Sequence, residues 1–171
     1  MNPLNGSAAR RAIIVRHDIM TTGIFIIAHA PLASALRQCV LHVFPDDPRA
    51  VVAFDVNSNA PLEQTLAAAR DAVAQLTDTH ALMLTDAFGA TPCNVAQKMV
   101  DGTKFRLVAG VNLPMLLRIM NHRRIHPHES LEGMVAIAIG GGVQGVMQVA
   151  IAAPQNQARR TNDQDHDDHQ Q

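Results

Sequence analysis

The chain has no tryptophan, no tyrosine and only five phenylalanines among 171 residues. A surface that stacks on nucleic-acid bases has little to be made from here. Neither sign of charge is in excess: 14 Lys and Arg stand against 15 Asp and Glu, for a formal net charge of -1. General nucleic-acid binders draw affinity from clustered cations, so that class is excluded as well. Two cysteines with no Cys-x-x-Cys pair cannot define a disulfide framework, and a reducing cytoplasm is the expected compartment. No stretch approaches the roughly 18 to 20 uninterrupted apolar residues that span a bilayer, so a soluble protein is expected. Arg10, Arg11, the run Ile24 to Ile27 and Ala28-His29-Ala30 imitate a signal peptide. Arg16, His17, Asp18, Thr21, Thr22 and Gly23 interrupt its apolar region, which argues against secretion.

What is present is material for a core. Hydrophobic residues make up 47% of the chain and charged ones 17%, and the length suits one domain of about 100 to 200 residues. Met20 opens a fresh apolar start, so residues 1–19 read as an upstream extension and translation could begin at Met1 or Met20. Residues 152–171 read as a disordered polar tail, because their Gln, Asn, Asp and His cannot repay ordering entropy. His166 and His169 lie there among Asp163, Asp165, Asp167 and Asp168. Ligand types without fixed geometry make adventitious metal binding at most, and no metal site is assigned. The working domain is therefore expected at 20–151.

Within it, Ile24 to Ile27, Ala50 to Phe54, Ala81 to Leu84 and Phe105 to Val111 are continuous apolar runs that read as buried strands. Between them, Leu32, Leu36, Cys39, Val40 and Val43 share one helical face, and Leu62, Leu66, Ala69, Val73 and Leu76 share another. Strict alternation of strand and helix forces parallel pairing through right-handed crossovers, a doubly wound α/β sheet with helices on both faces. Ligands gather at the carboxyl edge of such sheets.

Three loops converge on that edge. The first strand runs into His29-Ala30-Pro31, with Pro31 in the first turn of a helix. The third runs into Asp86-Ala87-Phe88-Gly89-Ala90-Thr91-Pro92, where Gly89 allows a tight loop, Thr91 reads as an N-cap and Pro92 as the first helical residue. The fourth runs into Gly110-Val111-Asn112-Leu113-Pro114. A neutral imidazole is a nucleophile at one nitrogen when a carboxylate holds the proton on the other, and Asp86 is placed to do this for His29. The N–H groups of Gly89, Ala90 and Thr91, with the Thr91 hydroxyl, would cradle an anion. Together these point to phosphoryl chemistry on histidine. No Walker lysine, Gly-x-Gly-x-x-Gly loop or Mg²⁺ carboxylate cluster accompanies them, so no nucleotide cofactor is called for. Plainer readings stay open: His29 as a hydrogen-bonded structural residue, Asp86 as a loop cap, Thr91 as an N-cap and nothing more.

The segments Gly23 to His29, Asp86 to Asn94 and Ala109 to Met115, in this order and spacing, resemble the mannose-type enzyme IIA domain of the bacterial phosphoenolpyruvate-dependent sugar phosphotransferase system. The resemblance covers about 20–151. It implies that His29 accepts phosphate from the carrier protein HPr and passes it to an enzyme IIB partner. It also implies that Asp86 orients the imidazole and that Thr91 matches the family's Ser/Thr before proline. The membrane is then met only indirectly, through a permease complex. A homodimer follows from the same resemblance, with a final antiparallel strand exchanged between copies. Gln144 to Ile151, after a break at Gly140-Gly141-Gly142, is the candidate strand. Two departures stand out: Ala30-Pro31 follows the histidine, and Ala90 occupies a place where a second glycine is common, which matters if that residue needs positive φ.

A regulatory module whose phosphorylation state is the signal is the alternative role. A dihydroxyacetone kinase phosphotransfer subunit ranks below it, and a hydrolase using Ser34 lower still, for want of a Gly-x-Ser-x-Gly elbow. Other conspicuous residues read as structure. His122, Arg123, Arg124, His126 and His128 follow a helical segment whose dipole favours cations. Met99, Met115 and Met120 read as core filler. Cys39 and Cys93 read as buried thiols.

Overall fold

The computed structural model describes residues 21–57 and 59–149. The extension at 1–19 and the tail at 152–171, with its His166 and His169, lie outside the described residues.

Among the described residues, four strands and five helices alternate up to the last two helices. They are β1 (Thr22–His29), α1 (Leu32–Val43), β2 (Val51–Val56), α2 (Leu62–Val73), β3 (His80–Thr85), α3 (Thr91–Gln97), β4 (Phe105–Ala109), α4 (Leu113–Ile125) and α5 (Leu131–Gln144). All pairings are parallel, in the order β2-β1-β3-β4. This is the doubly wound α/β sheet that the apolar runs predict. The chain leaves β1 toward β2 and then crosses back to β3, so the order reverses between β1 and β3. That reversal opens a crevice at the carboxyl edge.

Each face of the sheet carries its own core. Ile24, Ile26, Ala28, Leu82 and Leu84 pack under α1, α4 and α5, whereas Phe25, Ile27, Val56 and Met83 pack under α2 and α3. Met115 and Met120 fill the first core and Met99 the second, as expected for methionine in irregular gaps. The apolar face of α1 is rotated from the expected one: Ala33 and Val40 are buried, Leu36 packs beside them, and Leu32 and Val43 are largely exposed. Cys39 moves out with them and is exposed, correcting its reading as a buried thiol; Cys93 is buried.

α5 corrects a second expectation. Gly140, Gly141 and Gly142 do not break the chain but lie inside this helix. A side chain at Gly141 would meet Arg118, and one at Gly142 would meet Met115 and Asn112. The glycines let α5 lie close against α4. Gln144 ends α5, and residues 145–149 form neither strand nor helix in the single chain. Val143 at the end of α5 and Val146, Met147 and Val149 beyond it are all more than 70% exposed. Ile151 falls outside the described residues. Among the described residues, no helix is long and apolar enough to cross a membrane.

Candidate active site

His29 ends β1 and Asp86 follows β3, so the two straddle the crevice where strand order reverses. Asp86 Oδ2 lies 2.7 Å from His29 Nδ1 and also accepts the backbone N–H of His29 at 3.1 Å. Its other oxygen accepts the N–H of Ala87 at 2.9 Å. A carboxylate has no proton to give, so Nδ1 carries the hydrogen, and in the neutral ring Nε2 is the nitrogen with the lone pair. The His29 side chain is 45% exposed and that of Asp86 14%, so the imidazole stands at the surface and the carboxylate is the more buried partner. Burial pushes the Asp86 carboxyl up. The hydrogen bonds from the His29 ring, the His29 N–H and the Ala87 N–H outweigh it and hold the group below the ordinary range, ionised at neutral pH.

Side chains alternate along a strand, so His29 starts on the same face as Phe25 and Ile27, the face covered by α2 and α3. The loop before α3 is shaped by Gly89 at φ 80°, a conformation that glycine adopts without strain, and Asn94 Nδ2 donates to its carbonyl at 3.3 Å. Ala90 sits at φ -79° and ψ 170°, so its methyl costs nothing where a second glycine is common. Ala90, not Thr91, is the N-cap residue, and Thr91 is the first residue of α3. The N-cap reading of Thr91 is therefore corrected. Among the described residues, no hydrogen bond engages the Thr91 hydroxyl or the N–H groups of Gly89, Thr91 and Cys93, while the Ala90 N–H donates to Ala87 O at 3.4 Å.

Of the other helix starts at this edge, those of α1 and α4 are closed, while α2, behind Pro61, has no side-chain cap from its N-cap residue. Asn112 Oδ1 accepts the N–H of Met115 at 2.9 Å and caps α4. Asp55, at the end of β2, caps α1: its Oδ1 accepts the Ser34 N–H at 3.1 Å and its Oδ2 the Ser34 hydroxyl. Ser34 is thereby tied into a structural contact with a carboxylate. Sequence reasoning missed Asp55, although a lone acid inside the apolar run Val51–Val56 was the available signal.

The basic cluster does not follow α4 as expected: His122, Arg123 and Arg124 form its last turn and His126 its C-cap, and the cluster disperses into structure. Arg123 turns inward to Asp78, Asp47 and the Thr22 carbonyl. His122 meets Glu129 at 3.1 Å, and Arg124 lies over the Phe44 ring. Phe88, by contrast, is 82% exposed on the loop between Asp86 and Gly89, beside a cavity of about 430 Å³ lined in part by Cys93, Val100 and Leu107.

Known proteins resemble this chain in sequence and fold. Residues 23–138 match the family model EIIA-man, described as the PTS system fructose IIA component. The mannose-specific EIIAB component of the PTS system of Escherichia coli K12 is 38% identical over 66 residues, which is 38% of this chain and 20% of that protein. The chain thus aligns to about a fifth of the length of the curated relatives it matches. Among solved structures, the mannose/sorbose-specific IIA subunit of Enterococcus faecalis superposes with a TM-score of 0.67 at 21% identity, over 78% of this chain and 98% of that one. The EIIA phosphotransferase component of Streptococcus agalactiae gives 0.64 at 22% identity, over 74% and 96%. At these identities the structures speak for the fold, and the family model, covering well over half of the chain, speaks for descent: the chain belongs to the EIIA-man family of phosphotransferase-system components.

Proposed function

We propose that His29 is a transient phosphoryl carrier, charged by phospho-HPr and discharged to an enzyme IIB protein. The observation that carries this reading is the 2.7 Å contact between Asp86 Oδ2 and His29 Nδ1, which leaves Nε2 free on a half-exposed ring. In the forward step, the Nε2 lone pair attacks the phosphorus of the donor's phosphohistidine in line. The Nε2–P bond forms as the donor's N–P bond breaks, and the donor nitrogen leaves with that electron pair. The Nδ1 proton stays in place, and Asp86 offsets the positive charge that develops on the ring. Transfer to the acceptor runs the same step in reverse. Catalysis comes from positioning and from donors aimed at the phosphoryl oxygens. We assign those donors to the Gly89 and Thr91 N–H groups and the Thr91 hydroxyl, with Ala90 shaping the loop. α1 and α4 are already capped at this edge; the starts of α2 and α3 have no side-chain cap, and α3 is the one reached from Asp86 by the Gly89 loop.

The same reading takes 20–151 as the working domain and a second copy as a partner. The outer edge of β4 and the exposed apolar residues 143–149 support strand exchange there. Phe88, exposed two residues after Asp86, is the apolar contact that a protein partner covers. Incubation with phosphoenolpyruvate, enzyme I and HPr should place an acid-labile phosphate on the chain, and His29→Ala should abolish it. Labelling of that variant at the parent rate would end the proposal.

A further inference from the structure

Three backbone N–H groups around His29 are held by the strands that flank β1. On the β3 side, Asp86 Oδ2 accepts the N–H of His29 itself at 3.1 Å. On the β2 side, Val56 O accepts the N–H of Ala30 at 3.1 Å, and Asp55 Oδ1 accepts that of Ser34, also at 3.1 Å. The third contact is one that the local sequence does not supply. Pro31 stands at the N-cap of α1 and provides no side-chain acceptor, so the first N–H groups of this helix need one from elsewhere. Asp55 reaches across from β2 to give it, and its second oxygen takes the Ser34 hydroxyl. An acid within the run Val51–Val56 lowers strand propensity, yet both of its oxygens are committed to Ser34.

We propose that Asp55 is a positioning residue for His29. It fastens the first turn of α1 to β2, which fixes the His29-Ala30-Pro31 turn and the distance from the imidazole to Asp86. The proposal rests on the phosphocarrier reading of His29 and gives Asp55 no contact with the phosphoryl group. It acts through the Ser34 backbone and the turn. In-line attack tolerates little misplacement, with about 1 Å costing about a hundredfold in rate, so a loosened turn is felt in transfer before it is felt in folding.

The test uses the full chain carrying Asp55→Ala or Asp55→Asn. Three quantities are read: the ¹⁵N and ¹H signals of the His29 ring without any donor, the initial labelling rate from phospho-HPr, and the thermal midpoint. Asp55→Ala should perturb the Nδ1–H signal and slow labelling by about tenfold to a hundredfold. Asp55→Asn keeps an oxygen that accepts the Ser34 N–H and should stay within about threefold of the parent rate. A lowered thermal midpoint with unchanged ring signals and labelling would make Asp55 a helix cap alone and overturn the proposal. If Asp55→Ala does not fold, Asp55→Val, which suits a strand and offers no acceptor to the Ser34 N–H, takes its place; ring signals and rate equal to the parent's would then overturn it. Failure of the parent chain itself to label would strike the phosphocarrier reading, and the ring signals would still decide whether Asp55 holds His29.

Discussion

At the amino edge of the sheet, Arg123 Nε donates to Thr22 O at 3.0 Å, and its Nη2 lies 3.2 and 3.4 Å from the two oxygens of Asp78. Asp47 and the Thr21 hydroxyl complete that cluster, in which Asp78 is 2% exposed and Arg123 13%. At the carboxyl edge, Asp86 also faces a nitrogen base, but the base is a half-exposed imidazole with one nitrogen unspent. Both edges pair a carboxylate with a nitrogen partner. One network is closed, and a closed network fixes structure; the other leaves a lone pair at the surface, and an open one can react. A charge run in a sequence does not say which kind it will become, because closure depends on what the folded edges bring to meet it.

The largest effect should come from opening the closed edge. Arg123→Met leaves Asp78 buried without its cation and should cost about 3 to 5 kcal/mol in urea unfolding. Each molecule that remains folded should accept phosphate at the parent rate; a slower rate per folded molecule would mean that the amino edge also tunes His29. Asp86→Asn makes the converse change. It should cost only about 1 kcal/mol of stability, since the amide still accepts a hydrogen bond, while slowing phosphoryl transfer by about a hundredfold because it no longer offsets the imidazolium charge. A transfer rate within about twofold of the parent would reduce Asp86 to a loop cap. Thr91→Ala should be milder. The hydroxyl caps nothing, so stability should hold within about 0.5 kcal/mol, and transfer should slow by about fivefold for the loss of one donor. A stability loss of about 1 kcal/mol with normal transfer would restore the plain capping role.

Much of this was legible in the sequence, for reasons that single residues make clear. The four apolar runs found the strands because parallel sheets buried on both faces have no polar alternation to confuse the reading. His29 and Asp86 were found together because the alternation of elements fixes which loops share an edge. What failed was what depends on distant partners. Cys39 shares a helical face with Val40 by spacing, but the tilt of α1 on the sheet buries Ala33 instead. The triple glycine looked like a break until α4 was there to pack against it. Thr91 was one residue off as a cap, the usual uncertainty of a helix boundary. Asp55 escaped because a side chain that caps a helix from a neighbouring strand leaves no local spacing to detect.

The smallest expected effect is acid titration, and its sign separates the two edges. Burial raises the Asp86 carboxyl, but the hydrogen bonds from His29 and Ala87 bring it below the ordinary value. The folded chain binds that proton less readily than the unfolded one. Its contribution to stability is therefore complete above the ordinary carboxylate value and is lost as pH falls through the lowered one. Asp78 goes the other way: burial is the largest influence and raises it, Arg123 pulls it back, and Asp47 adds to the rise. The folded chain then keeps a proton that the unfolded chain has released. That contribution is present below the ordinary value and is lost as pH rises through the raised one. Carboxyl ¹³C signals followed from about pH 2 to 7 should show Asp78 titrating above an exposed aspartate and Asp86 below it. Arg123→Met should drive Asp78 higher still and leave Asp86 where it is. Movement of Asp86 in that variant would show that the closed and open edges are coupled through β1, and their independence would have to be given up.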